Sequence, residues 1–397
     1  MNSSARQPLP EQLPEQPAAS AGEDKSVTAN EGNSYGHQIR QALHQNRYLS
    51  AIVEAARSRK SERRFAAHLI ESVGVATQWH RREEVTNVAY EEVIRLRSVV
   101  ASAAKKGAPS IVRIRADDLS MLAAALHPGG SQAVGETELA AATKVASLDP
   151  ADAGAFRLYL AVLWLLNEKV ITALRASLTT SRVALHVTCR PRLQRAERSI
   201  ESFGPGTACQ LIHLKLVGTG NRYTFDPANH LLGVPSADSY ESLPPKVFRA
   251  LAILALVGKP SCVLKLDDDH RLLNERVLDG LLKSAAAARG AVQYGQVHRA
   301  ALPSCHHRAW HFGKCADPIV GARVLEMPAP LKWATGEAGY ILNRHATWRV
   351  LWGSLYYSHW LDEILYEDVA LAELASKTGI RVASTQMRYA IATTPDY

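Results

Sequence analysis

Apolar positions along this chain change their period once. From residue 37 to 178 they recur three and four apart, in IRQALHQNRYLSAIVEAARS, FAAHLIESVGVATQWH, VAYEEVIRLRSVVASAAKK, LSMLAAALH and FRLYLAVLWLLNEKVITALRASL. That spacing lines one face of an α-helix and predicts an all-α region, broken at the loop HPGGSQAVGE. After residue 180, β-branched segments (RVALHVT, CQLIHLKLV, SCVLKLD, AVQYGQV) alternate with helical ones (PPKVFRALAILALVGK, NERVLDGLLKSAAAARG). Strand and helix in alternation predict a mainly parallel α/β sheet with helices on both faces, and ligands in such sheets sit outside the carboxyl ends of the strands. Residues 1–36, rich in Pro, Gln, Ser, Glu and Gly, carry too little apolar surface to order themselves and are expected to form a disordered tail. The expected division is therefore a tail (1–36), a helical accessory domain (37–178) and an α/β domain (179–397), with no fixed internal repeat.

Composition adds limits. At 397 residues the chain is too long for one ordinary core, and 47% hydrophobic with 21% charged residues describes a globular protein. The net charge of +8 favours anionic partners without choosing among them. Five scattered cysteines do not make a disulfide framework and fit a reducing compartment. The N-terminus lacks a basic start followed by an apolar stretch, and runs such as YLAVLWLL are too short for a bilayer. A cytoplasmic protein is expected, with peripheral membrane or homo-oligomeric association through the helical region left open.

Candidate chemistry begins at VLKLDDDHRLLN (263–274), where a strand runs into Asp267, Asp268 and Asp269. Adjacent carboxylates raise one another's pKa unless cations compensate, and hard oxygen ligands suit Mg²⁺ or Mn²⁺ shared with a diphosphate. A solvated acidic turn before a helix capped by Asn274 explains the same residues without a ligand. A second acidic pair, Glu367 and Asp368, opens a helix in EDVALAELASKTGI, where stabilisation by the helix dipole is the plain alternative. Between them LKWATGEAGYILNRHA places Trp333 and Tyr340 beside Gly336 and Gly339, a combination of flat faces and close backbone approach that suits a sugar ring or a buried turn.

The order of these elements resembles the glycosyltransferases of GT-A fold. More narrowly it resembles glycosyltransferase family 31, the β-1,3-galactosyl- and N-acetylglucosaminyltransferase group that includes the fringe enzymes. The resembling segments are DSYESLPPKVFRAL (238–251), beside that family's D-x-Y-x-N-L-x-x-K, then VLKLDDDHRLLN, ATGEAGYILNRHA beside S-G-x-G-Y-V-L-S, and EDVALAELASKTGI. Ser242 stands where the family often has Asn, Glu337 adds a charge to the glycine turn, and no histidine follows Tyr366. The resemblance implies a GT-A, Rossmann-like sheet and a metal-dependent, inverting transfer of a hexose or N-acetylhexosamine from a UDP-sugar to a saccharide or glycan hydroxyl, with a β-1,3 linkage. It implies Mn²⁺ or Mg²⁺ at Asp267 and Asp269, and nucleotide binding by Asp238, Lys246, Asp267 and Asp268. Asp368 becomes the catalytic base with Glu367 its neighbour, and Trp333, Gly336, Glu337 and Gly339 shape the sugar and acceptor site.

Other readings stay open: a family 2-like GT-A transferase, a metal-dependent phosphoesterase or nucleotidyltransferase using DDDH, and a catalytically inactive binding protein. CHHRAWHFGKC (305–315) lacks the clean pairings of a zinc site and reads better as a loop beside the acceptor. RSRKSERR (57–64) reads as a solvated helix face, so no nucleic acid is expected, and GTGN (218–221) opens no helix and reads as a turn.

Overall fold

The computed structural model describes residues 71–105, 109–128, 134–148, 152–204, 209–299, 311–322, 332–357 and 364–394. The expected tail, the helical segment 39–58 and the basic run 57–64 lie outside them.

After a helical stretch at 71–76, the described residues form α1 (Arg82–Lys105), α2 (Pro109–Ala125), α3 (Glu136–Ser147), α4 (Ala153–Leu166) and α5 (Glu168–Ser177). Asp152 caps α4 by accepting from the backbone N–H groups of Gly154 and Ala155 at 3.1 and 3.2 Å. The run YLAVLWLL is this helix, buried on almost every side. The apolar pattern that continues past it is split at Asn167, whose side-chain amide turns back to the Leu163 carbonyl at 2.8 Å and ends one helix before the next begins.

The chain then alternates. β1 (Arg182–Val187), α6 (Leu193–Glu201), β2 (Ile212–Gly218), β3 (Thr224–Asp226), β4 (Leu231–Val234), α7 (Leu243–Val257), β5 (Cys262–Asp267), β6 (His270–Leu272), α8 (Glu275–Ala287), β7 (Val292–Gly295) and β8 (Val297–Arg299) follow in order. After them come α9 (Pro318–Ala322), β9 (Lys332–Ala334), β10 (Tyr340–Asn343), α10 (Arg344–Tyr356), α11 (Glu367–Thr378), β11 (Arg381–Ser384), α12 (Met387–Ala390) and β12 (Ile391–Thr393). Eight strands form one sheet in the order β11-β7-β10-β5-β1-β2-β4-β3. It is parallel except at β3 and at β10, which runs antiparallel between β5 and β7. A large, mostly parallel sheet flanked by helices is a Rossmann-like arrangement.

Alternation along β1 divides the core. Val183, Leu185 and Val187 join the apolar cluster that also contains residues of α7 and of α1 to α5, while Ala184 joins a smaller one with Leu264, Leu278 and Leu282. α7 starts with Pro244 and Pro245 in its first turn and stops at Gly258, whose φ of +74° is a left-handed helix end. Cys189, Cys209, Cys262 and Cys315 are free. Among the described residues no helix is long and apolar enough to cross a membrane.

Candidate functional site at the carboxyl edge of the sheet

From β1 the chain winds outward through β2 to β4, then returns to lay β5 on the other side of β1. The crevice between the ends of β1 and β5 is therefore a topological switch point, the place where such sheets bind ligands. Thr188, just past β1, spans it by donating its hydroxyl to Asp268 at 2.9 Å. Behind Thr188, Lys246 is 1% exposed and donates to the Thr188 carbonyl at 3.1 Å and to Asp238 at 2.7 Å. Asp238 also accepts the backbone N–H groups of Gly218 (2.8 Å) and Arg190 (2.7 Å). Burial alone would raise the Asp238 carboxyl; Lys246 and the two N–H donors outweigh it and hold the group below its usual range. Asp238 and Lys246 thus tie the ends of β1 and β2 to the start of α7 and form one wall of the crevice.

The three aspartates after β5 meet three cationic side chains. Asp267 pairs with Lys265 at 2.7 Å, Asp268 with Arg192 at 3.0 Å and Arg195 at 3.5 Å, and Asp269 with Arg195 at 3.0 Å. Burial raises Asp267 but Lys265, then His270 and Arg192, overcome it and leave the carboxyl low. For Asp268 burial wins over Arg192 and Thr188, and its carboxyl is raised. The local cation supply that the sequence assigns to a metal is thus partly met by Lys265, Arg192 and Arg195. Lys265 is shared, since it pairs with Glu367 as well as with Asp267.

Asp267, Asp269 and His270 offer ligand atoms within 4.8 Å of one another, the one such group among the described residues. His270 is fully buried and both its ring nitrogens are engaged. Nδ1 accepts the Asp267 N–H at 2.7 Å, which leaves Nε2 to donate to the Glu337 carbonyl at 2.7 Å. His270 is thereby a clamp between the aspartate turn and the glycine turn. Asp269 Oδ1, in contrast, is buried without a hydrogen-bond partner among the described residues. A hard divalent cation held by Asp269 and Asp267 fits this donor set, supplying a partner for the Asp269 oxygen.

The glycine turn, a 3₁₀ turn at Gly336–Ala338 before β10, brings the second acidic pair to the first. The Gly336 N–H donates to Asp368 at 3.2 Å. A Cβ built on Gly336 would stand 3.3 Å from Lys265 Nζ, 3.9 Å from Glu367 Oε2 and 4.0 Å from Asp267 Oδ2. Lys265, 4% exposed at its side chain, joins the two pairs, bonding Asp267 and also Glu367 at 3.1 Å. Glu367 is buried, accepts the Tyr340 hydroxyl, and has its carboxyl raised by burial against the opposing pull of Lys265. Gly339 has φ +68° and a Cβ there would lie 2.7 Å from the Lys265 carbonyl, so glycine is required by conformation and by space.

Of the residues singled out from sequence, Asp238, Lys246, Asp267, Asp268, Asp269, Gly336, Glu367 and Asp368 converge on this crevice. Gly339 acts behind it by letting β10 approach β5, and Glu337 contributes its backbone while its side chain is exposed. Trp333 is 5% exposed, packed with Tyr366, Val369 and Ala372 and tilted against His298, so it presents no open face to a ligand. Cys305 to Trp310 of the His- and Cys-rich segment lie outside the described residues; His311 is buried and hydrogen-bonded to the Tyr366 hydroxyl at 2.7 Å.

Sequence reasoning gave no role to Lys265, Arg192, Arg195 and Tyr240, and took His270 only as part of DDDH. A lysine inside the otherwise apolar CVLKL strand was a readable sign of a buried ion pair. The phenol of Tyr240 is pushed up by burial and by the neighbouring Tyr366, Asp267 and Asp368, which puts it among the crevice groups. No known protein-family model matches the chain, and no curated protein is significantly similar to it.

Proposed function

We propose that the chain is a glycosyltransferase of GT-A type that uses Mn²⁺ or Mg²⁺ to transfer a hexose or N-acetylhexosamine from a UDP-sugar to a saccharide hydroxyl, with the helices before residue 179 as an accessory region. The observation that carries this reading is the meeting at Gly336 of two acidic motifs a hundred residues apart. Gly336 donates to Asp368 on one side, and its missing side chain leaves Asp267 and Glu367 facing the same space.

In this reading Asp269 and Asp267 would hold the cation, whose contribution there would be to offset the charge of the departing diphosphate. Asp238 and Lys246 shape the nucleotide wall. Asp368, half-buried at the first turn of α11, takes the proton of the acceptor hydroxyl as that oxygen bonds to the anomeric carbon. The bond from that carbon to the diphosphate oxygen breaks in the same step, UDP leaves with the electron pair, and attack opposite the leaving group inverts the centre. Glu367 is locked by Lys265 and Tyr340, so it positions the helix start and leaves proton transfer to Asp368.

The test compares wild type with Asp368→Asn. Transfer to saccharide acceptors is expected to fall by roughly 10²-fold or more while donor binding persists. Unchanged turnover in the variant removes Asp368 from the chemistry. Phosphate release from simple esters, with no sugar transfer, favours the phosphoesterase reading instead.

A further inference from the structure

At the opposite edge of the sheet, where β7 and β11 begin, the surface holds a cleft of about 550 Å³. That size lies within the roughly 300–1,000 Å³ of small-molecule sites. Its lining includes Arg289, Arg349 and Arg381, together with Tyr294, Ala288 and Ala291, and contains no carboxylate. Arg349 is half-buried and donates to the Thr378 carbonyl at the end of α11. Gly379 makes this possible: its φ is +69°, and a Cβ there would stand 2.7 Å from Arg349 Nη1. Arg289 and Arg381 are exposed, and among the described residues neither guanidinium has an ion pair or a side-chain hydrogen bond.

Helix ends explain part of this charge. The C-termini of α8 and α11 both reach the cleft, and cations there offset the helix dipoles. Arg349 serves that purpose directly. Two further exposed arginines at the same cleft, with no ion pair among the described residues, exceed it, and a guanidinium fork matches the geometry of phosphate oxygens.

We propose that this cleft is a binding site for a phosphate group, engaged by Arg289 and Arg381, with Tyr294 and the alanines contacting whatever carries it. The proposal is independent of the transferase reading, because none of these residues belongs to the carboxylate crevice.

The test is calorimetric titration of the full chain, in chelator and at low ionic strength, with inorganic phosphate and with phenyl phosphate. One saturable site is expected, weakened by salt. Arg289→Ala and Arg381→Ala should each reduce affinity by about tenfold. Melting temperatures should change little, since both side chains are exposed. Asp269→Ala should leave the binding intact, which separates this site from the candidate metal site. Tighter binding of phenyl phosphate assigns the cleft to a phosphate ester, and equal binding assigns it to the free anion. Absence of saturable binding, or affinity unmoved in the Arg289→Ala/Arg381→Ala double variant, overturns the proposal.

Discussion

Replacing Lys265 by methionine probes the buried connection between the two acidic motifs. Methionine keeps most of the volume, so the cavity contribution is small. What is lost is the charge. The Glu367 side chain is 6% exposed, and removing one member of such a buried pair costs about 3–5 kcal/mol. The Asp267 side chain is 40% exposed, so its pair is screened by water and adds at most about 1 kcal/mol. The expected loss at pH 8 is thus about 4 kcal/mol.

Its pH dependence identifies the cause. Without Lys265, burial raises the folded-state pKa of Glu367 further above the unfolded value, so the folded variant binds a proton that the unfolded chain releases. Stability of the variant then rises as pH falls, and its deficit against wild type narrows between pH 8 and pH 5. Urea denaturation of both proteins at pH 5, 6.5 and 8 measures this. A deficit of equal size at all three values would refute the electrostatic account and leave only packing.

Three further predictions concern the same frame. Gly339→Ala should cost at least about 2 kcal/mol in chemical denaturation, because the left-handed backbone and the Lys265 carbonyl both oppose a Cβ; a neutral change would mean that β10 shifts freely. His186 is fully buried between His213 and Ser199, and burial, then His213 and His270, hold its ring well below the ordinary imidazole range. The unfolded chain therefore takes up the proton first, and His186 alone should lower stability by up to about 2 kcal/mol from pH 6.5 to 5, a share of the slope that His186→Gln should remove. Asp269→Ala should abolish metal-dependent activity with little loss of melting temperature, since its partner Arg195 keeps Asp268.

How far the sequence could be read depended on whether the signal was periodic. The alternating segments RVALHVT, CQLIHLKLV, SCVLKLD and AVQYGQV are β1, β2, β5 and β7 within a residue or three, because each is an apolar run bounded by polar turns. The short strands β3, β4, β6, β8, β9, β11 and β12 were not visible, since three or four residues carry no period. Helix α3 was hidden behind the glycine loop that precedes it.

The carboxylates were legible as a site because three charges at the end of a buried strand need an explanation. Their partners were not, since pairing of Arg192 and Arg195 with Asp268 and Asp269 depends on the start of α6 lying beside the turn after β5, a tertiary fact. Trp333 shows the opposite limit: an aromatic beside glycines suits a sugar or a core equally well, and here burial places it in the core.

The most direct test of the central claim is titration of the protein with a panel of nucleotide sugars in Mn²⁺ and in chelator, followed by mass spectrometry of the products. The account predicts that a UDP-sugar binds in the presence of metal, releases UDP slowly, and does neither once the metal is removed. Absence of binding by every nucleotide sugar under both conditions would contradict it.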